Sequence, residues 1–387
     1  MDPDLSRLDA YLDEQGLDGY LVDADSEDSD QYYLSGFDAP DPFVTLYDSE
    51  VRLLFDRSLE YARAERESHA ATVERHVDYA DADESDDHGG DQRVLAEFLA
   101  AYGVESVAVP PRFPVATADG LRDHGVDVTP DHDQTVTTIR AVKTEREIEH
   151  VRDAQRVNEA AMAAAADLLS AAEVRDGLLV HEGEPLTSER VKRTIEVTLV
   201  ENGCALDDTI VACGADAADP HERGSGPLAA GEPIIVDIFP RDTATKYHAD
   251  MTRTFLKGDP DETVREWYDL TAEAKAAALD ALEPGVTGAA VHDAACDVYE
   301  EAGLPTLRSD STAETGFIHS TGHGIGLDVH ELPRLGSNGG ELQPGHVVTV
   351  EPGLYDPAVG GVRIEDLVVV TEDGYENLTE YPSELQV

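Results

Sequence analysis

Cysteine is scarce in this chain, and the few cysteines form no recognisable pattern. Three occur in 387 residues, Cys204, Cys213 and Cys296, and none belongs to a CxxC pair. An odd, scattered set suits neither a disulfide framework nor a zinc site built from thiolates. The sequence therefore predicts free thiols and a reducing, cytoplasmic setting.

Long apolar runs are also missing. No stretch of about 18 apolar residues occurs, so we expect no membrane-spanning helix. The opening sequence, MDPDLSRLDAYLDEQG, has neither a positive flank nor an apolar stretch, so we expect no signal peptide.

Basic residues are few as well. Lys+Arg number 28 against 82 Asp+Glu, and the formal net charge is −54. Nucleic-acid binding is disfavoured, because phosphates repel such a surface. The acidic residues run along the whole chain rather than forming one block. This distribution favours a dispersed, halophilic style of surface, whose self-repulsion high salt would screen, over an acidic face for one basic partner.

The length exceeds what one hydrophobic core usually fills, so two domains are expected. The linker is expected near Asp131–Arg140, which predicts an N-terminal α/β domain at 1–135 and a larger second domain at 136–387. The acidic segment Asp78–Asp91 is expected to be a surface loop. In the first domain we expect two helices and three strands: Leu5–Gln15, Arg93–Tyr102, Gly19–Val22, Val51–Phe55 and Ser106–Val109.

The second domain is expected to contain two blocks, each a helical stretch followed by a pair of strands. Apolar residues recur at helical spacing, and Asp259-Pro260 is typical of a helix start. The expected helices are Glu145–Ser170, Ser188–Asn202, Asp259 to about Leu282, and Thr287–Ala302. The expected strands are Pro233–Phe239, Tyr247–Leu256, Val347–Glu351 and Val362–Val370.

Four carboxylates stand in these apolar strands, one in each. Asp237 lies in IIVDIFP, Asp250 in YHADMTRTF, Glu351 in VTVEPGLY and Glu365 in GVRIEDLVVV. A buried carboxylate needs a partner, and four of them would balance the charge of two divalent cations. One alternative is a buried ion pair between Glu365 and Arg363, which share a strand face.

Three histidines follow in HSTGHGIGLDVH, interleaved with glycines that allow the backbone to approach a ligand. The spacing is GxGxG without a following βαβ unit, which disfavours a nucleotide loop. His319 and His323 have the spacing of an HExxH helix, but Glu does not follow His319 and the glycines disfavour helix. The group is either three unrelated polar side chains or, as we expect, one ligand, His323, with two supporting donors.

Together these frames resemble the M24 metallopeptidases, and among them the Xaa-Pro peptidase branch of prolidase and aminopeptidase P. The resemblance extends from about Val142, in KTEREIEHVRDA, to about Thr371. The segment YYLSGFD is similar to the creatinase-type N-terminal domain of that branch. The resemblance implies an α/β (α+β) protein: a pita-bread catalytic domain, with an antiparallel sheet flanked by helices, behind a smaller α/β domain.

The resemblance also implies a role for each residue. Asp237 would bind one metal and His323 the other, Asp250 and Glu365 would bridge both, and Glu351 would bind the second metal and act as acid–base group. His221 and His330 would assist catalysis, and the substrate site would be lined by His319, His330, Arg363 and Tyr355. The chain departs from the family in the gap from Asp237 to Asp250, which is two residues longer than usual. An even insertion at a hairpin turn keeps both side chains on one face.

The expected function is therefore a dinuclear-metal hydrolase that removes the N-terminal residue from Xaa-Pro peptides or dipeptides through a metal-bridging hydroxide. Carboxylates with one imidazole favour Mn²⁺ or Co²⁺, with Zn²⁺ as a further option. The resemblance implies a homodimer. The alternatives are a methionine aminopeptidase-like exopeptidase and a non-catalytic pita-bread binding module.

Overall fold

The computed structural model describes residues 3–79 and 90–387. Two units make up the chain, an N-terminal unit, Met1–Arg140, and a C-terminal unit, Ala141–Val387. The mixed α/β architecture expected from the sequence is confirmed. Among the described residues, no helix combines the length and the apolar character needed to cross a membrane.

The N-terminal unit is built on one six-stranded sheet. Its strands are β1 (Gly19–Ala24), β2 (Phe43–Tyr47), β3 (Val51–Phe55), β4 (Thr72–Arg75), β5 (Ser106–Val109) and β6 (Asp127–Pro130). They are arranged in the order β4-β3-β2-β1-β5-β6. The pairs β1–β5, β5–β6 and β3–β4 are parallel, whereas β2 is antiparallel to both β1 and β3. All strands except β2 therefore point the same way.

Among the described residues, six α-helices accompany this sheet. They are α1 (Ser6–Gln15), α2 (Ser29–Ser35), α3 (Tyr61–Glu67), α4 (Gly90–Ala101), α5 (Val115–Asp123) and α6 (Thr135–Ala141). The five elements predicted here are confirmed to within three residues at their ends, while the short helices and β2, β4 and β6 were not predicted. The predicted acidic loop at Asp78–Asp91 falls largely on residues 80–89, which lie outside the described residues.

The C-terminal unit contains two helix pairs. They are α7 (Glu145–Ala171) with α8 (Ser188–Glu201), and α9 (Glu262–Asp280) with α10 (Gly288–Glu301). All four predicted helices are confirmed. The predicted cap of α9 is wrong: the carboxylate of Asp261, rather than that of Asp259, accepts the Thr263 N–H at 2.9 Å, so the first turn starts at Glu262.

The strands of this unit form several small sheets around the site. They are β7 (Glu173–Arg175), β8 (Leu178–His181), β9 (Glu184–Pro185), β10 (Cys204–Ala205), β11 (Thr209–Cys213), β12 (Ile234–Ile238), β13 (Arg241–Asp242), β14 (Met251–Phe255), β15 (Gly322–Gly324), β16 (Glu331–Leu335), β17 (Val347–Val350), β18 (Gly353–Asp356), β19 (Gly360–Arg363), β20 (Asp366–Thr371) and β21 (Gly374–Asn377). The two sheets that carry the candidate site residues are the three-stranded β11-β12-β14 and the five-stranded β16-β15-β17-β20-β21.

Each helix pair packs on its own strands. Buried side chains of α7 and α8 share a core with β11, β12 and β14. Those of α9 and α10 share another core with β17, β19 and β20. This is the predicted arrangement of two helical blocks, each followed by antiparallel strands.

Three of the four predicted strands of this unit are confirmed, but their ends differ where the site lies. Asp250 precedes β14 instead of lying within it, and Glu351 follows β17. The long strand predicted at Val362–Val370 is wrong, because Ile364 and Glu365 interrupt it between β19 and β20. Three of the four carboxylates thus occupy strand ends, where the backbone turns away from the regular ladder.

Candidate metal centre

Asp237 and Asp250 are brought together by the pairing of β12 with β14. The two strands are antiparallel, and Asp237 lies opposite Thr252. Asp250 precedes Thr252 by two residues, so strand alternation places it on the side of the sheet that carries Asp237. Asp250 itself is buried, with 4% of its surface exposed.

The lengthened turn between these two aspartates is held by its own hydrogen bonds. Asp242 Oδ1 accepts the N–H groups of Ala244 and Thr245 at 3.0 and 2.7 Å. The same short stretch, β13, pairs with β10. Lys246 closes the turn with a φ of 63°. The two additional residues are therefore accommodated in an ordered side-chain turn.

His323, Glu351 and Glu365 come from the second sheet. β15 pairs with β17 and β17 pairs with β20, both antiparallel, which places the end of β17 beside the start of β20. His323 Nε2 lies 3.3 Å from Glu351 Oε1 and 3.8 Å from Asp250 Oδ2. Its Nδ1 lies 3.1 Å from Gly324 O, which orients the ring with Nε2 towards the carboxylates.

The glycines beside His323 serve strand packing. A Cβ on Gly322 would lie 1.9 Å from Thr349 O, and one on Gly324 would lie 2.1 Å from Leu332 O. The sequence interpretation attributed these glycines to close approach of a ligand. The structure shows instead that they allow β15 to fit between β16 and β17, which holds His323 in place.

The five residues divide into one tight group and two flanking carboxylates. Asp250, His323 and Glu365 each offer an atom that could bind a metal, and these three atoms lie within 4.8 Å of one another. Glu351 adjoins the group through His323. Asp237 is held from its other side by Arg363, whose Nη2 lies 2.7 Å from Asp237 Oδ2.

The electrostatics of the group follow from crowding and burial. Burial, reinforced by the neighbouring carboxylates, holds the pKa values of Asp250 and Glu365 well above their usual range, and the pKa of Asp237 is raised as well. Burial would also raise the pKa of Glu351, but the hydrogen bond and charge of His323 outweigh it and lower that pKa to about 2. The interaction with Glu351 likewise outweighs burial at His323 and raises its pKa.

The remaining predicted residues surround this group. Tyr355 OH accepts from Arg363 Nη1 at 2.9 Å and lies 3.0 Å from His319 Nε2. The His330 ring is 4.3 Å from that of His323. His221 lies on an exposed loop. Burial lowers the pKa of His319 to about 4, and His221 makes a smaller contribution in the same direction. The structure thus brings all the predicted histidines to one region.

Comparisons with known proteins agree with this geometry. The profile of Metallopeptidase family M24 matches residues 149–372, and that of the Creatinase/Prolidase N-terminal domain matches residues 5–142. The chain belongs to metallopeptidase family M24. The resemblance inferred from the sequence is confirmed, and the fold is that of the M24 peptidases with an additional N-terminal unit.

Named relatives extend the comparison. The chain is 28% identical over 395 residues to the Xaa-Pro dipeptidase of Pyrococcus horikoshii, which covers 100% of this chain and 99% of the relative. It is 41% identical over 194 residues to the probable dipeptidase PepE of Mycobacterium bovis, and this match spans about half of each chain, 50% and 49%. The crystal structure of the prolidase from Pyrococcus horikoshii OT3 superposes with a TM-score of 0.79 at 27% identity, covering 98% and 99% of the two chains.

Membership of the M24 family implies divalent metal ions, and the side chains fit them. Within the part of the chain that the structure describes, Asp237 Oδ1 and Glu365 Oε1 are buried without a hydrogen-bond partner. A buried carboxylate oxygen without a donor is costly, and a hard cation is the natural partner for it. The donor set of this M24 chain, oxygens with one imidazole, suits such ions.

Two threonines that the sequence interpretation missed contact the candidate ligands of this M24 chain. Thr252 Oγ1 donates to Glu365 Oε2 at 2.8 Å and accepts from Arg363 Nε at 3.1 Å. Thr349 Oγ1 accepts the His323 N–H at 3.1 Å and donates to Glu351 Oε1 at 3.3 Å. The sequence did contain a signal for these threonines. Thr252 lies two residues from Asp250 and Thr349 two residues from Glu351, so strand alternation places each threonine on the same side as that carboxylate.

Proposed function

We propose that this chain is a metal-dependent exopeptidase that removes the N-terminal residue from Xaa-Pro peptides or dipeptides. The observation that carries the proposal is the close group of Asp250, His323 and Glu365. Among the described residues, Glu365 Oε1 within this group and Asp237 Oδ1 beside it are buried without a hydrogen-bond donor. The full-length match to a protein named Xaa-Pro dipeptidase supports the choice of substrate.

Two divalent cations, Mn²⁺ or Co²⁺ first and Zn²⁺ as a further option, are proposed as the cofactors. The residues proposed to hold them are Asp237, Asp250, His323, Glu351 and Glu365. When bound, such ions lower the pKa of a water so that it attacks at neutral pH, and they polarise the scissile carbonyl.

The side chains divide the remaining work. Glu351 is largely ionised, so its carboxylate can take a proton from the attacking water and return it to the leaving prolyl nitrogen. His221 and His330 donate hydrogen bonds to the oxygen on which negative charge develops. His319 is neutral at physiological pH because burial lowers its pKa to about 4, so with Tyr355 it offers an uncharged wall for the prolyl ring.

Arg363 completes the substrate side. Its guanidinium contacts Asp237, Tyr355 and, at 3.4 Å, the carbonyl of Pro220, which precedes His221. Arg363 therefore links the loop of His221 to the proposed ligands.

We assign residues 136–387 to the pita-bread catalytic domain and residues 1–135 to a creatinase-like domain. The homodimer, the cytoplasmic setting, the halophilic surface and the identity of the metal remain predictions.

The test is a substrate comparison in high salt with added Mn²⁺. We expect cleavage of Ala-Pro or Ala-Pro-Ala that disappears with a chelator and in His323→Ala, whose metal content also falls. Preference for the dipeptide or the tripeptide distinguishes prolidase from aminopeptidase P. Release of Met from Met-Ala but not from Met-Pro would select the methionine aminopeptidase-like alternative. Metal binding without any peptide turnover would support a non-catalytic binding module.

A further inference from the structure

A cavity of about 430 Å³ opens in the N-terminal unit, at the carboxyl ends of its parallel strands. Asp23 near the end of β1, Phe55 at the end of β3 and His76 just after β4 all line it. In α/β sheets, ligands bind outside the carboxyl ends of the strands. The volume lies within the range of small-molecule sites.

The floor of the cavity is apolar and follows from strand register. Asp23 is paired with Val44, and Val44 with Leu54, so these three side chains emerge on one face of three neighbouring strands. Leu95 of α4 packs over the same face. Val44, Leu54 and Leu95 are all buried, which leaves Asp23 as the polar member of this row.

Asp23 carries a half-buried carboxylate. Among the described residues it has one hydrogen-bond partner, Thr117 of α5, whose Oγ1 donates to Oδ2 at 2.8 Å, and it makes no ion pair. Burial raises the pKa of Asp23, although Thr117 and the charge of His76 partly offset it. A carboxylate in such surroundings is stabilised by a positive group that enters with its ligand.

The rim of the cavity adds negative charge. Asp41, Asp56 and Glu60 line the opening. Among the described residues, two basic side chains line the cavity, and each lies 3.5 Å from Asp56: His76 and Arg57. The field at the opening therefore favours a cation and disfavours an anion.

We propose that this cavity is a binding site for a small organic cation, an amine with an apolar body. The ammonium group binds Asp23, and the body lies over Val44, Leu54 and Leu95. The site is separate from the peptidase chemistry and does not depend on it.

Three probes of one shape test the proposal: benzylamine, benzyl alcohol and benzoate. Binding to the full-length protein is followed by NMR of valine and leucine methyl groups at about 1 M salt, where screening suppresses general attraction to an acidic chain. We expect benzylamine to bind at least tenfold more tightly than benzyl alcohol, because a charge-assisted hydrogen bond is added. Benzoate should bind most weakly, and the methyl groups of Val44 and Leu54 should shift.

Asp23→Asn should abolish the preference for benzylamine over benzyl alcohol. Asp127→Asn is the matched control, since it removes the same charge from an exposed position on β6 and should leave the preference unchanged. Equal affinity of the wild-type protein for benzylamine and benzyl alcohol would overturn the proposal, as would methyl shifts confined to other regions. Both outcomes are measured on the wild-type protein, so they test the proposed cation site even if Asp23→Asn does not fold.

Discussion

Arg363 holds Asp237 through one guanidinium nitrogen, with Nη2 2.7 Å from Asp237 Oδ2. The sequence suggested instead an ion pair between Arg363 and Glu365. Arg363 and Glu365 are instead connected through the hydroxyl of Thr252, which accepts a hydrogen bond from Arg363 and donates one to Glu365. Because Arg363 occupies Oδ2, the other oxygen, Oδ1, is left without a donor and free to bind a cation.

Arg363→Lys should impair the protein although the charge is retained. A lysine ammonium cannot reproduce the fork that reaches both Asp237 and Tyr355. Arg363→Met should cost more, about 3–5 kcal/mol of unfolding free energy in the metal-free protein, because it leaves a buried carboxylate unpaired. Urea unfolding measures the change in unfolding free energy, and kcat measures the change in activity.

Arg265→Lys, on the exposed face of α9, is the control. Equal unfolding free energies and equal kcat values for Arg363→Lys and Arg265→Lys would refute the role given to Arg363.

Thr252→Val should weaken metal binding while leaving the volume of the side chain nearly unchanged. The hydroxyl orients Glu365 and links it to Arg363, and loss of such an outer partner typically costs about 10–100-fold in metal affinity. Thr252→Ser keeps the hydroxyl and should remain close to the wild type. Titration of the metal-free protein with Mn²⁺ checks both variants, and similar affinities for valine and serine would contradict the prediction.

Asp250→Asn should stabilise the metal-free protein. Burial and the neighbouring carboxylates disfavour the charge on Asp250, so removing it relieves repulsion in that state. The same substitution should lower metal content, so that Mn²⁺ raises the melting temperature of the wild type but much less that of the variant. Thermal unfolding with and without Mn²⁺ provides the measurement. Destabilisation of the metal-free variant would show that the carboxylates are not in conflict.

His292 should contribute to loss of stability below about pH 6.5. It is 5% exposed, and burial lowers its pKa. The folded pKa lies below the unfolded one, so as the pH falls the unfolded chain takes up the proton first. Stability is unaffected above the unfolded pKa and falls below it, by at most about 1.4 kcal/mol per pH unit.

Urea unfolding between about pH 7.5 and pH 5.5 tests this slope. In His292→Gln the decline should be shallower than in the wild type, whatever the absolute stability. His124→Gln, at an exposed position, is the matched control for the loss of one imidazole. An unchanged slope in His292→Gln would mean that this imidazole is not kept neutral by the fold.

Salt should stabilise the whole protein. With a formal net charge of −54, like charges repel across the surface, and the Debye length shortens from about 10 Å at 0.1 M to about 3 Å at 1 M salt. The unfolding free energy should therefore rise steeply between these concentrations. KCl and NaCl should act alike if screening is the cause, and a melting temperature independent of salt would contradict the halophilic interpretation.

Much of the fold could be predicted from local patterns. The helix Glu145–Ala171 shows clear apolar periodicity and a capping box formed by Thr144 and Glu147. The strand Val51–Phe55 was predicted with its exact ends because turn residues flank an apolar run. Short helices such as α3, with one buried residue, carry too little pattern to be recognised.

The sequence by itself determined the family, because the frames around the carboxylates and His323 are distinctive, and it supplied the candidate ligands, because carboxylates in apolar strands need partners. Tertiary structure decided which groups touch. Glu365 lies in a break between two strands, Thr252 links it to Arg363, and the glycines around His323 serve strand packing. The links from Thr252 to Glu365 and Arg363, and from Arg363 to Asp237, join residues more than 100 positions apart, and no local periodicity encodes the pairing of distant strands.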